Sequence, residues 1–310
     1  MTRLSHKNNK PLRKHVLGGL NPTPVDDRDF PLGGIQDYRF EDVPNTDWLV
    51  GTFNIKDQEH ILDDGCTGYA LAAVSEDQEE VELDPGFAFM LGKKMQGNWK
   101  SWGGDLRSAL KGQCEYGAIE VGENPLDFGG KPRDFIANWN NWPLEELKPK
   151  ALKHKKQSYF KIEKLPGHDM FDSIRAALWH NRDLKRSSYT GVIWRPGWLY
   201  SKVIPKAVGT GGVGHAIKLC NGQKFIDGVP YLILQQSYGE DAGENGFHYV
   251  SREVINRDFN YGFYMVIDMP KEEAKEILRG KGLLVETLET KKITSPFENF
   301  TKFLKKLFKK

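Results

Sequence analysis

The chain has 310 residues, 44 Lys and Arg against 42 Asp and Glu, a net charge of +2, and 39% hydrophobic residues. This is the composition of a globular protein, large enough for one big domain or two lobes. It excludes a membrane-spanning chain, since no apolar run is long enough, and a general nucleic-acid binder, since the charge is nearly balanced. Residues 1–7 have no apolar core, so secretion through an N-terminal signal peptide is not expected. The three cysteines, Cys66, Cys114 and Cys220, are too few for a disulfide framework.

Residues 1–24 are polar and basic, then rich in Gly and Pro, and read as an extended arm. Residues 25–150 read as a helical lobe. The Ala-rich run from Cys66 predicts a helix over 66–78. Apolar residues at helical spacing predict a second over 85–95 and a third over 106–116, with Gly117 as its stop.

Residues 151–268 read as a β-rich lobe, with short apolar strands at 159–162, 191–194, 215–219, 231–235, 246–250 and 262–267. One helix interrupts them. Asp169 is its N-cap, and Phe171, Ile174, Ala177 and Leu178 form its apolar stripe. The glycine-dense 209–212 stretch precedes a strand rather than a helix, so it reads as a loop and not as a phosphate cradle.

Residues 269–310 form a C-terminal extension. A charged helix from Pro270 ends near Gly280. A second begins at Ser295-Pro296-Phe297-Glu298, with Phe297, Phe300, Leu304, Leu307 and Phe308 on one face and lysines toward its end. This basic amphipathic helix has three readings: packing on its own domain, docking on a partner protein, or lying on an anionic membrane surface.

Cys66 stands in the first turn of its helix, where unpaired N–H groups favour a thiolate. A lone cysteine there is also consistent with a small buried hydrophobe. Two later segments give it partners. Gly214-His215-Ala216 opens an apolar strand 149 residues on, and Gln236 ends another 21 residues after His215. Cysteine, histidine and amide in that order match a nucleophile, its base and an orienting group. No histidine pair has metal-ligand spacing with a cysteine or carboxylate, so neither a metal nor another cofactor is expected.

Several stretches in order resemble the papain family of cysteine proteases, over roughly residues 25–268. They are Gln58 ahead of Cys66-Thr67-Gly68-Tyr69-Ala70-Leu71, the Gly103-Gly104-Asp105-Leu106 loop, Glu115-Tyr116-Gly117-Ala118-Ile119, Gly214-His215-Ala216, Gln236-Ser237-Tyr238-Gly239 and Gly243-Glu244-Asn245-Gly246-Phe247. The resemblance implies an α+β two-lobe fold: a helical lobe, a β-barrel-like lobe, and an active-site cleft between them. It implies a peptidase acting on peptide or protein substrates. Cys66 would be the nucleophile, His215 the base, Gln236 the orienter where the family has Asn, and Gln58 the oxyanion donor. Gly103 and Gly104 would pair with substrate backbone, and Leu106, Val213 and Gly214 would wall the specificity pocket. Secreted members carry disulfides where this chain has Asp63 and Ser101, which favours a reducing compartment: bacterial cytoplasm, or a virus particle assembled there. The arm is too short for the family's helical inhibitory pro-segment, so control by that device is not expected.

The chain departs from the family pattern in four places. Gln236 is one methylene longer than Asn, a displacement of about 1.5 Å. Gln58 lies eight residues before Cys66, two more than in the family. Tyr238 and Ala242 replace two tryptophans. Asp63 and Asp64 put negative charge beside the thiol, which opposes the thiolate. These departures support a rival reading: a catalytically weakened papain-fold component of a larger assembly, such as a phage particle, using the arm and the 295–310 helix as contacts.

Overall fold

The computed structural model describes residues 18–23, 26, 29–58, 64–124, 142–206 and 211–283. Residues 1–17 of the arm and the 295–310 helix lie outside the described residues.

The helical side is built from α2 (Cys66–Glu79), α3 (Pro85–Gln96), α4 (Leu106–Tyr116) and α5 (Leu144–Ala151), preceded by the single turn α1 (Leu32–Ile35). Asp84 and Asp105 cap α3 and α4 by accepting from Phe87 N and Ser108 N, and Pro85 takes the first helical position where its missing N–H is not needed. Nearly every side chain of α2 is buried, so it has no polar face and forms the centre of the molecule. Gly68 permits the close crossing of α2 and α3: a Cβ there would lie 2.2 Å from the Pro85 carbonyl oxygen.

The other side is one antiparallel sheet in the order β2 (Ser158–Lys161), β7 (Phe263–Ile267), β3 (Ser188–Trp194), β4 (Val213–Ile226), β5 (Val229–Gln235), β6 (Phe247–Val250), with β1 (Trp48–Leu49) added beside β4. The fold is α+β and papain-like, as the resemblance implies, but the sheet does not close into a barrel. Its end strands β2 and β6 have four residues each and are met by single bridges from Pro31 and Val203 rather than by one another. The long β4–β5 hairpin turns at Asp227-Gly228, both with positive φ (50° and 77°), the two-residue turn that suits strand twist.

Alternation along β4 divides its side chains between two layers. Ile217 and Leu219 enter a core with α6 (Met170–His180), α7 (Arg252–Asp258) and α8 (Lys271–Gly280). Ala216 and Lys218 face α2. There Lys218 Nζ sits 2.6 Å from Asp77 Oδ1, both side chains essentially without exposure, and Ser187 and Phe53 also donate to Asp77. A buried ion pair therefore fixes the register of α2 on the sheet, and with it the position of Cys66.

Candidate active site

Cys66 is the first residue of α2 and is fully buried. Its Sγ accepts from Ala216 N at 3.4 Å, so the sulfur lies against β4 one residue beyond His215. The Gly19 and Thr67 N–H groups also favour negative charge on the sulfur. Burial outweighs them: with a further push from Asp64, it raises the thiol to about 11. The thiolate expected from the helix start is therefore not the resting state in this closed geometry.

His215 lies on the face of β4 that carries Ile217. Tyr238 stacks on its ring (centroids 5.5 Å apart, 30°) and Trp194 meets it edge-on (5.5 Å, 78°). Tyr238 thus covers the imidazole, and Trp194 adds cover from a different strand. Burial, then the nearby His248, pushes His215 down to about 3, so the ring is neutral at pH 7. Among the described residues neither ring nitrogen has a hydrogen-bond partner, Cys66 Sγ included, and the buried Gln236 amide likewise has none. No hydrogen bond therefore joins Gln236 to His215.

Gln58 is buried beside the same loop. Its N–H donates to Ser237 O at 2.8 Å, its Nε2 to Tyr238 OH at 3.3 Å, and its Oε1 accepts from Ser237 Oγ at 2.5 Å. The added residues between Gln58 and Cys66 lie in 59–63, outside the described residues.

The Gly-Gly loop is held from beneath. Gly103 N donates to Asp64 Oδ2 at 2.9 Å, and Lys93 Nζ donates to Gly103 O at 2.7 Å. Asp64, which opposes the thiolate, is thus also the anchor of this loop. Opposite stand Val213 and Gly214. Between the two walls runs a segment of the chain itself, residues 18–21. Gly104 N donates to Gly19 O at 2.8 Å, Asn21 N to Gly104 O at 2.8 Å, and Leu20 N to Gly214 O at 3.1 Å. Trp102 Nε1 donates to Gly18 O at 2.7 Å. Gly103 has φ 68° and a Cβ there would lie 2.0 Å from Gly19 O; a Cβ at Gly214 would lie 2.4 Å from Leu20 O. Only residues without Cβ admit so close a backbone approach.

The Leu20 side chain is buried with Cys66, Leu106, Tyr189, Ala216 and Tyr264, and it abuts Gly191, where a Cβ would lie 2.2 Å from Leu20 Cδ2. Leu106, Val213 and Gly214 therefore stand beside residues 18–20, and Gly191 and Tyr261 join them. Sequence reasoning read 18–21 only as an extended arm. The signal present was a Gly-Gly pair flanked by large apolar residues, Leu17 and Leu20, after a basic stretch. Among the described residues no group of three or more His, Cys, Asp or Glu is placed to hold a metal, and no helix is long and apolar enough to cross a membrane.

This cysteine-bearing helix, set against a histidine-bearing antiparallel sheet across a peptide-filled groove, defines a papain-like fold. Among solved structures, the chain is similar to xylellain, a cysteine protease from Xylella fastidiosa (20% identity, TM-score 0.66, covering 84% of this chain and 100% of that one). It is similar to proCathepsin B S9 from Trypanosoma congolense (14%, TM-score 0.55, 80% and 86%) and to digestive procathepsin L 3 of Tenebrio molitor larval midgut (16%, TM-score 0.53, 78% and 76%). No family model and no curated protein matches the chain.

Proposed function

We propose that this protein is a cysteine peptidase whose cleft is occupied in the resting state by its own residues 18–21. The observation that carries the reading is the Gly19-Leu20-Asn21 segment hydrogen-bonded to Gly104 and Gly214 directly over Cys66. The groove already binds an extended peptide through backbone groups, which is how a peptidase holds a substrate of variable sequence. The sulfur meets the Gly19 N–H rather than a carbonyl carbon, so the bound segment is held without being presented for attack. Leu20 fills the side pocket, and the pocket suits a leucine-sized aliphatic side chain in a substrate.

No hydrogen bond joins Cys66 to His215 in the closed geometry, so in the reaction the imidazole first turns toward the sulfur and takes its proton, and the thiolate attacks the peptide carbonyl carbon. The developing oxyanion takes the Cys66 N–H, with the Gln58 amide as the side-chain donor. The C–N bond breaks as His215 returns the proton to the leaving amine. Water then hydrolyses the thioester, again with His215 as base.

The unmade Gln236–His215 hydrogen bond favours the second reading, a weakened papain-fold component of an assembly such as a phage particle. One experiment separates the two. Full-length protein is treated with a peptidyl epoxide carrying leucine, and labelled peptides are mapped. Labelling at Cys66 that His215→Ala abolishes supports the peptidase. Equal labelling of both proteins marks an ordinary thiol, and no labelling of either the full chain or a chain lacking residues 1–23, which frees the cleft, favours the structural role.

A further inference from the structure

His248, on β6, is a second buried histidine beside the proposed base. Its Nδ1 donates to Ser201 O at 2.7 Å, which fixes the proton on Nδ1, while Nε2 is buried without a hydrogen-bond partner. The turn before it is shaped to admit the ring: at Gly243 (φ 58°) a Cβ would lie 2.8 Å from His248 Cε1. Burial pushes His248 down to about 4. A leucine would fill this space without burying an imidazole, so packing alone does not call for histidine.

What joins His248 to His215 is Trp194. The indole centroid lies 5.4 Å from the His248 ring and 5.5 Å from the His215 ring, with interplanar angles of 77° and 78°. Both imidazoles therefore meet one indole in edge-on geometry, the favourable arrangement for aromatic pairs. Because neither nitrogen of His215 is hydrogen-bonded, its orientation is set by Trp194 on one side and Tyr238 on the other.

We propose that Trp194, braced by His248, is the positioning residue for His215, doing by aromatic packing what a hydrogen-bonded amide does elsewhere. The proposal rests on the reading of His215 as the base. The other charged groups near the two imidazoles are already engaged. Lys202 pairs with Glu244, Arg195 with Asp258, Lys56 with Glu76, and Asp64 with Gly103 N. Asp57 lies beside Gly239, and Lys218, paired with Asp77, is on the opposite face of β4.

The test uses full-length protein with His248→Asn, which keeps a donor for Ser201 O, His248→Leu, which fills the volume alone, and Trp194→Phe as the conservative replacement. The ring tautomer and titration of His215 are read by NMR in a Cys66→Ser background, and peptide hydrolysis is read with Cys66 present. The expected result is a changed His215 tautomer population and an upward titration shift in both His248 variants. The kcat falls between about tenfold and a hundredfold with KM within twofold, and Trp194→Phe is partly active. A lowered melting temperature with His215 NMR and kcat both unchanged overturns the proposal. If His215 NMR shifts as expected but the protein hydrolyses no peptide either as the full chain or without residues 1–23, the peptidase reading fails while the positioning contact stands.

Discussion

Leu20 N donates to Gly214 O at 3.1 Å, one residue ahead of His215, and this bond closes the groove above Cys66. The neighbouring backbone bonds to Gly104 make the closure two-sided. Burial of the thiol follows, while the imidazole is buried by Tyr238 and Trp194, and burial is the largest cause of both pKa displacements.

Deleting residues 1–23 exposes the sulfur to water. Its pKa should fall from about 11 toward the ordinary 8.5, and the rate of iodoacetamide alkylation at pH 7.5 should rise by about tenfold or more. A folded deletion protein that alkylates no faster than the full chain rules out the 18–21 segment as the cover.

Asp64→Asn removes the charge that opposes the thiolate while leaving an oxygen to accept from Gly103 N. The expected outcome is alkylation of Cys66 up to about tenfold faster at neutral pH, since one pKa unit is a tenfold change in thiolate. The pH–rate curve for alkylation should move to lower pH with its shape unchanged.

His215 sits at about 3 when folded against an ordinary 6.5. Between these values the unfolded chain binds a proton that the folded chain does not, so the contribution to stability is present above 6.5 and is lost as the pH falls toward 3. His215→Leu should therefore lose less stability than the parent protein between pH 7 and pH 4, measured by urea unfolding at each pH.

Lys218→Met leaves the Asp77 carboxylate buried with only Ser187 and Phe53 as donors. Breaking a buried pair from one side costs about 3–5 kcal/mol, and the melting temperature should drop by about 10 °C. The double variant Lys218→Met with Asp77→Leu should recover much of that loss, which scanning calorimetry of the three proteins checks.

The sequence by itself determined the local elements. The Ala-rich helix at Cys66, the cap at Asp169, and the short apolar run at His215 are written in patterns of two to four residues' range, so they were legible without neighbours. The order of Cys66, the Gly103-Gly104 loop, His215 and Gln236 also carried the papain-like fold. Tertiary structure alone decided the rest. Whether the sheet closes depends on the partners available to β2 and β6, which no strand pattern encodes. The segment that enters the groove was set by glycines 18, 19, 103, 104 and 214 meeting across 84 to 196 residues of chain. Trp194 and His248 reach His215 from strands β3 and β6, and nothing local marks either residue. Protonation went the same way: the helix start favours a thiolate by a short-range field, but burial is a property of the whole fold, and here burial prevails.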